Sequence, residues 1–223
     1  MAASFLIRVI VELKQGFGIH DIIMGLVPLI FIYAPVWLCN RRGVDSYSYR
    51  LFIPAFLDFT EWRKAFTLAF WMNIGTWSWF VPLYHFYYTE LNAIIFGGKG
   101  FDLIGTMPKE MALTILFQVF YVALPEEFFY RGYFQTRFNE AYPRKWKVFG
   151  AQIGMGAVYT NLLFAFGHSL VAFQWWHFAT FFPGMVFSWA RERSNGILAA
   201  ALFHAACNVG IIILDTMYGI RSI

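Results

Sequence analysis

Charge is what this sequence has least of. Only 13% of its 223 residues are Asp, Glu, Lys or Arg, against roughly 25% in soluble domains, while 59% are hydrophobic and 22% aromatic. A solvated globular fold is therefore excluded, and the fold class expected is all-α, a polytopic transmembrane helical bundle. Cysteine is nearly absent as well. Cys39 and Cys207 both lie in apolar runs, which leaves no disulfide framework and no zinc knot. Neither His-Glu-x-x-His nor Glu-x-x-His occurs, so the signatures of a zinc protease or a di-iron site are missing, and no metal or other cofactor is expected. There is no internal repeat, which counts against a secondary transporter, and no low-complexity tract, so residues 1–223 are read as one membrane-embedded domain. Basic residues cluster at the edges of apolar runs without interleaved aromatics; the partner this implies is anionic lipid headgroups, not nucleic acid.

The apolar runs set out about six spans. Ala2 to Lys14, interrupted by Arg8 and Glu12, is too short to cross and lacks a signal-peptide cleavage pattern, so an N-terminal interfacial helix is expected. The first span covers about Ile22 to Cys39, with Pro28 and Pro35 inside it, and a polar, aromatic connector to Lys64 is expected along the membrane surface. The second covers about Ala65 to Tyr88, the third starts at Met111 and continues as a polar helix towards Asn139, and the fourth covers about Val148 to His168. The fourth contains Gly150-x-x-x-Gly154, a spacing that lets membrane helices approach closely. The fifth runs from about Val171 to Ala190, and the sixth starts after Gly196 and ends near Asp215. Twelve of the 17 Lys and Arg residues fall in the connections after spans one, three and five. By the positive-inside rule these connections are cytoplasmic and both termini are outside.

Against this background a few polar residues stand out. Leu124-Pro125-Glu126-Glu127-Phe128-Phe129-Tyr130-Arg131 follows an uncharged run from Met111, so its charges lie at membrane depth, where ionisable groups are costly and mark function. Glu127 and Arg131 are four apart and meet on one helix face as an ion pair. Glu126 points about 100° away round the helix and is left available. Phe164 and His168 share a face of the fourth span, and His204 and Asn208 a face of the sixth. A carboxylate, a histidine and a His/Asn pair are the components needed to activate water and stabilise an oxyanion. Each alone could be a hydrogen bond between membrane helices, the reading adopted for His20, His85 and His177. Cys207 is three residues from His204 on the same helix, a poor arrangement for nucleophilic attack.

Glu126-Glu127-x-x-x-Arg131, Phe164-x-x-x-His168 and His204-x-x-x-Asn208, in this order on successive apolar segments, resemble the three motifs of the CPBP family (CAAX protease and bacteriocin-processing, or Abi), intramembrane glutamic proteases. The resemblance covers 107–215. It implies an intramembrane endopeptidase that cleaves a membrane-anchored protein or peptide. Glu126 and His168 would activate water, His204 and Asn208 would form the oxyanion hole, and Glu127, Arg131 and Phe164 would support them. Three substrate classes are compatible: prenylated CAAX proteins, peptide precursors, and C-terminal anchors of the kind cut by myxosortases. A multi-pass protein of the cell membrane, or of the endoplasmic reticulum in a eukaryote, is expected. The alternatives are a non-catalytic membrane scaffold or immunity protein, and a metal-dependent membrane protease. Arg131 beside Glu127 opposes a cation at that site.

Overall fold

The structure is a computed structural model that describes residues 19–46, 58–97, 100–103, 105, 107–108, 110–172 and 174–220. The expected interfacial helix Ala2 to Lys14, positions 47–57 of the connector and the side chain of His20 lie outside the described residues. The chain is mostly helical. Helix α1 spans Ile19–Arg41 with Pro28 and Pro35 inside it, and α2 spans Phe59–Phe86. The last part of the connector is thus helical and continuous with α2. Asp58 explains the earlier start, because its carboxylate accepts the Glu61 N–H at 3.2 Å and caps the first turn. After Phe86 the chain continues through a wide turn, Tyr87–Leu91, into a last short helical piece, Asn92–Phe96.

Helix α3 runs from Met111 to Ala141 but changes pitch along its length. Two π segments, Gln118–Ala123 and Phe128–Phe134, flank a single α turn, Leu124–Glu127, that carries both glutamates. Pro125 accounts for the first of them. Its ring would strike the carbonyl four residues back in a regular helix, and a wider turn before it relieves that contact. Wide turns of this kind are frequent at functional sites.

The fourth segment departs most from expectation. Lys145–Val148 (β1) and Ala151–Gly154 (β2) pair as an antiparallel hairpin with Val148 opposite Ala151. Phe149 and Gly150 between them have φ of 45° and 81°, the two successive left-handed residues that a tight two-residue hairpin requires. Gly150 and Gly154 are therefore hairpin residues, not a helix-packing pair, and the bundle is not purely α. The helix expected from Val148, α4, starts only at Met155 and ends at Ala172. Trp189 donates its indole N–H to the Val148 carbonyl at 2.9 Å, fastening the hairpin to the next helix. The expected fifth span is also displaced. A 3-10 segment, Trp175–Thr180, leads into α5, Phe181–Ser194, whose 14 residues reach only about 21 Å, short of a hydrocarbon core of about 30 Å. Asn195, with φ of 60°, ends it.

Helix α6, Leu198–Met217, begins with a run of buried small residues, Ala199, Ala200 and Ala201, that lets it pack closely against α2 and α5. At its far end Tyr84 of α2 donates to the Asp215 carboxylate at 2.6 Å, and His85 bonds Tyr218. The core gathers Ala69, Tyr130, Phe164, Phe187 and Phe203. Outside it the usual polarity is reversed: Leu29 and Tyr33 of α1, Phe66, Phe70, Trp71 and Trp79 of α2, and Leu113 and Phe120 of α3 all face outward. Among the described residues, α3 and α6 are the helices long and apolar enough to cross a membrane.

Candidate active site

The largest fully buried side chain among the described residues is a cation. Arg131 is fully buried beside a fully buried Glu127, and a buried ion pair needs further hydrogen bonds to offset its desolvation; Arg131 finds them at both terminal nitrogens, while its Nε and Glu127 Oε2 have no partner. Arg131 Nη1 donates to Glu127 Oε1 at 3.0 Å, while Nη2 donates to Asn161 Oδ1 at 2.8 Å and to the Gly184 carbonyl at 3.2 Å. The guanidinium also lies 4.2 Å from the centre of the Phe164 ring, a favourable cation–π placement. Asn161 is itself fixed by donating to the Ala157 carbonyl and to Ser188 Oγ, both at 2.7 Å. The pair that four-residue spacing implies is thus held by three helices.

Gly184 is needed for this closeness. A Cβ there would sit 2.3 Å from Asn161 Oδ1 and 3.0 Å from Arg131 Nη2. Gly184→Ala should therefore lower stability by about 1–3 kcal/mol, the usual result of overpacking. The measurement is thermal unfolding in detergent; an unchanged midpoint would show that the cluster relaxes freely.

Glu127 in turn orients a histidine. His204 Nδ1 lies 2.8 Å from Glu127 Oε1; with the carboxylate ionised against Arg131, Nδ1–H is the donor. The ring is clamped by parallel stacking on Phe187, 4.6 Å between centroids at 15°, and meets Phe164 edge-on at 6.0 Å. That leaves Nε2 directed to Glu126, 3.9 Å from its Oε2. The adjacent glutamates, expected to face different neighbours, therefore flank opposite sides of one imidazole. They differ in access. Glu127 is sealed, whereas the Glu126 side chain is 18% exposed; Oε2 of each lacks a hydrogen-bond partner.

His168 packs its ring 4.3 Å from that of Phe164, and its Nδ1 lies 3.1 Å from the Phe164 carbonyl. A carbonyl can only accept, so Nδ1 carries the proton and Nε2 is left as an acceptor. Glu126 and His168 share no direct hydrogen bond. Asn208, one turn from His204, donates Nδ2–H to Gln118 Oε1 of α3 at 2.9 Å. Direct contacts thus join Glu126, Glu127, Arg131, Phe164 and His204; His168 is joined through Phe164, and Asn208 through α6 and Gln118. Sequence reasoning missed Asn161, Gly184, Ser188 and Gln118. Asn161 lies seven residues before His168, two turns along the same face, and a count of polar residues on that face would have found it. Among the described residues no three His, Cys, Asp or Glu side chains converge as a ligand set.

Residues 108–210 match the family described as type II CAAX prenyl endopeptidase Rce1-like. This part of the chain is similar to the CAAX endopeptidases. The matched segment begins just before α3 and ends inside α6, so it contains every residue of the cluster. The match indicates a membrane peptidase, a hydrolase of the CAAX type. No curated protein and no solved structure matches the chain.

Proposed function

We propose that the protein is an intramembrane glutamic endopeptidase that removes the C-terminal residues of a prenylated, membrane-bound substrate. The observation that carries the reading is the division of labour between two adjacent glutamates around His204, one fully buried and paired with Arg131, the other partly exposed and paired with no arginine. Water held between Glu126 and the acceptor Nε2 of His168 loses a proton to Glu126 as its oxygen attacks the peptide carbonyl. The proton passes to the leaving nitrogen as the C–N bond breaks, which restores the carboxylate. Asn208 Nδ2–H donates to the developing oxyanion together with Nε2–H of His204, whose ring then carries both protons between the two carboxylates, a contribution worth several kcal/mol where water is scarce. Glu127, Arg131 and Phe164 hold the two imidazoles in place and touch no reacting atom.

The family description favours CAAX processing over the other two substrate classes. The test is a synthetic farnesylated peptide ending in a CAAX sequence, offered to purified protein in nanodiscs, with the released tripeptide read by mass spectrometry. Release of the tripeptide, undiminished after chelation of protein shown by elemental analysis to be metal-free, is the expected result. No release from an active preparation would exclude CAAX processing. Stoichiometric zinc that Glu126→Gln loses together with activity would turn the carboxylates into ligands and replace the glutamic mechanism.

A further inference from the structure

Gln118 is a polar side chain in the membrane-embedded run of α3 that the reaction scheme does not use. On a regular helix, eight residues before Glu126 would put it about 80° round from that carboxylate. The π segment Gln118–Ala123 lies between them, and one such inserted residue takes back about 100°. Gln118 therefore comes within about 20° of the face that carries Glu126, and there it meets α6. Its Oε1 receives one of the two Nδ2–H bonds of Asn208 at 2.9 Å. An asparagine amide is nearly symmetric in shape, and without a partner it can present either its oxygen or its nitrogen to the site. An oxygen turned towards an oxyanion repels it.

We propose that Gln118 is a positioning residue. By accepting one N–H of Asn208, it fixes the amide so that the second N–H faces the scissile carbonyl oxygen. The π segment before Pro125 is the backbone device that brings it there. This rests on the oxyanion role of Asn208 proposed above, and the contact acts on the transition state through Asn208 alone. Removing Gln118 should therefore lower kcat and leave KM nearly unchanged.

A double-mutant cycle with the farnesylated peptide tests it. Gln118→Ala should reduce kcat by about tenfold, a fraction of the loss usual for an oxyanion donor, with KM within about twofold and unfolding temperature unchanged. Gln118→Glu keeps the acceptor oxygen and should recover most of the rate. Adding Gln118→Ala to Asn208→Ala should cost nothing further. A wild-type kcat for Gln118→Ala, or an undiminished loss in the Asn208→Ala background, overturns the proposal while leaving Asn208 in place. Full activity of Asn208→Ala instead removes the oxyanion assignment and with it any amide for Gln118 to position. Selective 15N labelling of asparagine reads the contact without substrate: Gln118→Ala should shift the Asn208 Nδ2 resonances in nanodiscs, and unmoved resonances would sink the proposal even if the peptide is not cleaved.

Discussion

Glu126→Gln should leave the protein folded in the membrane and reduce kcat by about a thousandfold, within the range of 10²–10⁴ usual for losing a general base. The substitution preserves shape and removes the one property the mechanism needs, a carboxylate able to take a proton from water. It should be mild on stability because Glu126 makes no hydrogen bond at Oε2 and its side chain is partly open to solvent. The contrast with its neighbour is the informative part. Glu127→Gln alters a group bonded to both Arg131 and His204, so it should cost stability as well as rate. Single-turnover cleavage and thermal unfolding of both variants separate the two roles. Turnover by Glu126→Gln at the wild-type rate would end the assignment of Glu126 as base.

Arg131→Ala should be the most destabilising single change in the chain, by about 3–5 kcal/mol, the cost of stranding one partner of a buried ion pair. Arg131 also serves the Gly184 carbonyl and Asn161, so its loss leaves acceptors from three helices unmatched. The fault should then reach His204, whose ring is oriented through Glu127. Arg131→Met combined with Glu127→Gln should recover a large part of the lost stability, because removing both charges costs less than removing one, yet it should not recover full activity. Unfolding temperatures and the yield of folded protein decide this. An Arg131→Ala variant that expresses and melts like wild type would contradict the account of the cluster.

The membrane setting and the local pairs follow from residue order alone. Scarce charge and long apolar runs leave a bundle of helices as the way to satisfy the backbone in lipid, and residues four apart on a helix are neighbours whatever surrounds them. Hence Glu127 with Arg131, Phe164 with His168, and His204 with Asn208 could be read directly, and the ordered motifs carried the family with them. What lay between helices could not be read this way. His204 is 77 positions from Glu127, Asn161 is 30 from Arg131, and Gln118 is 90 from Asn208. Each contact depends on which faces of two helices meet and at what height. The wide turns in α3 change those faces, since one inserted residue rotates everything beyond it by about 100°, a shift that a regular 3.6-residue count misses. The hairpin shows the same limit. Val148 to Gly154 is apolar enough to pass for the start of a span, but Phe149 and Gly150 take left-handed conformations that fold it back on Lys145 to Val148, and the Trp189 indole holds it there. Local spacing supplied the chemical groups; the pitch of α3 and the packing of α4, α5 and α6 around Arg131 decided that both glutamates would face one histidine.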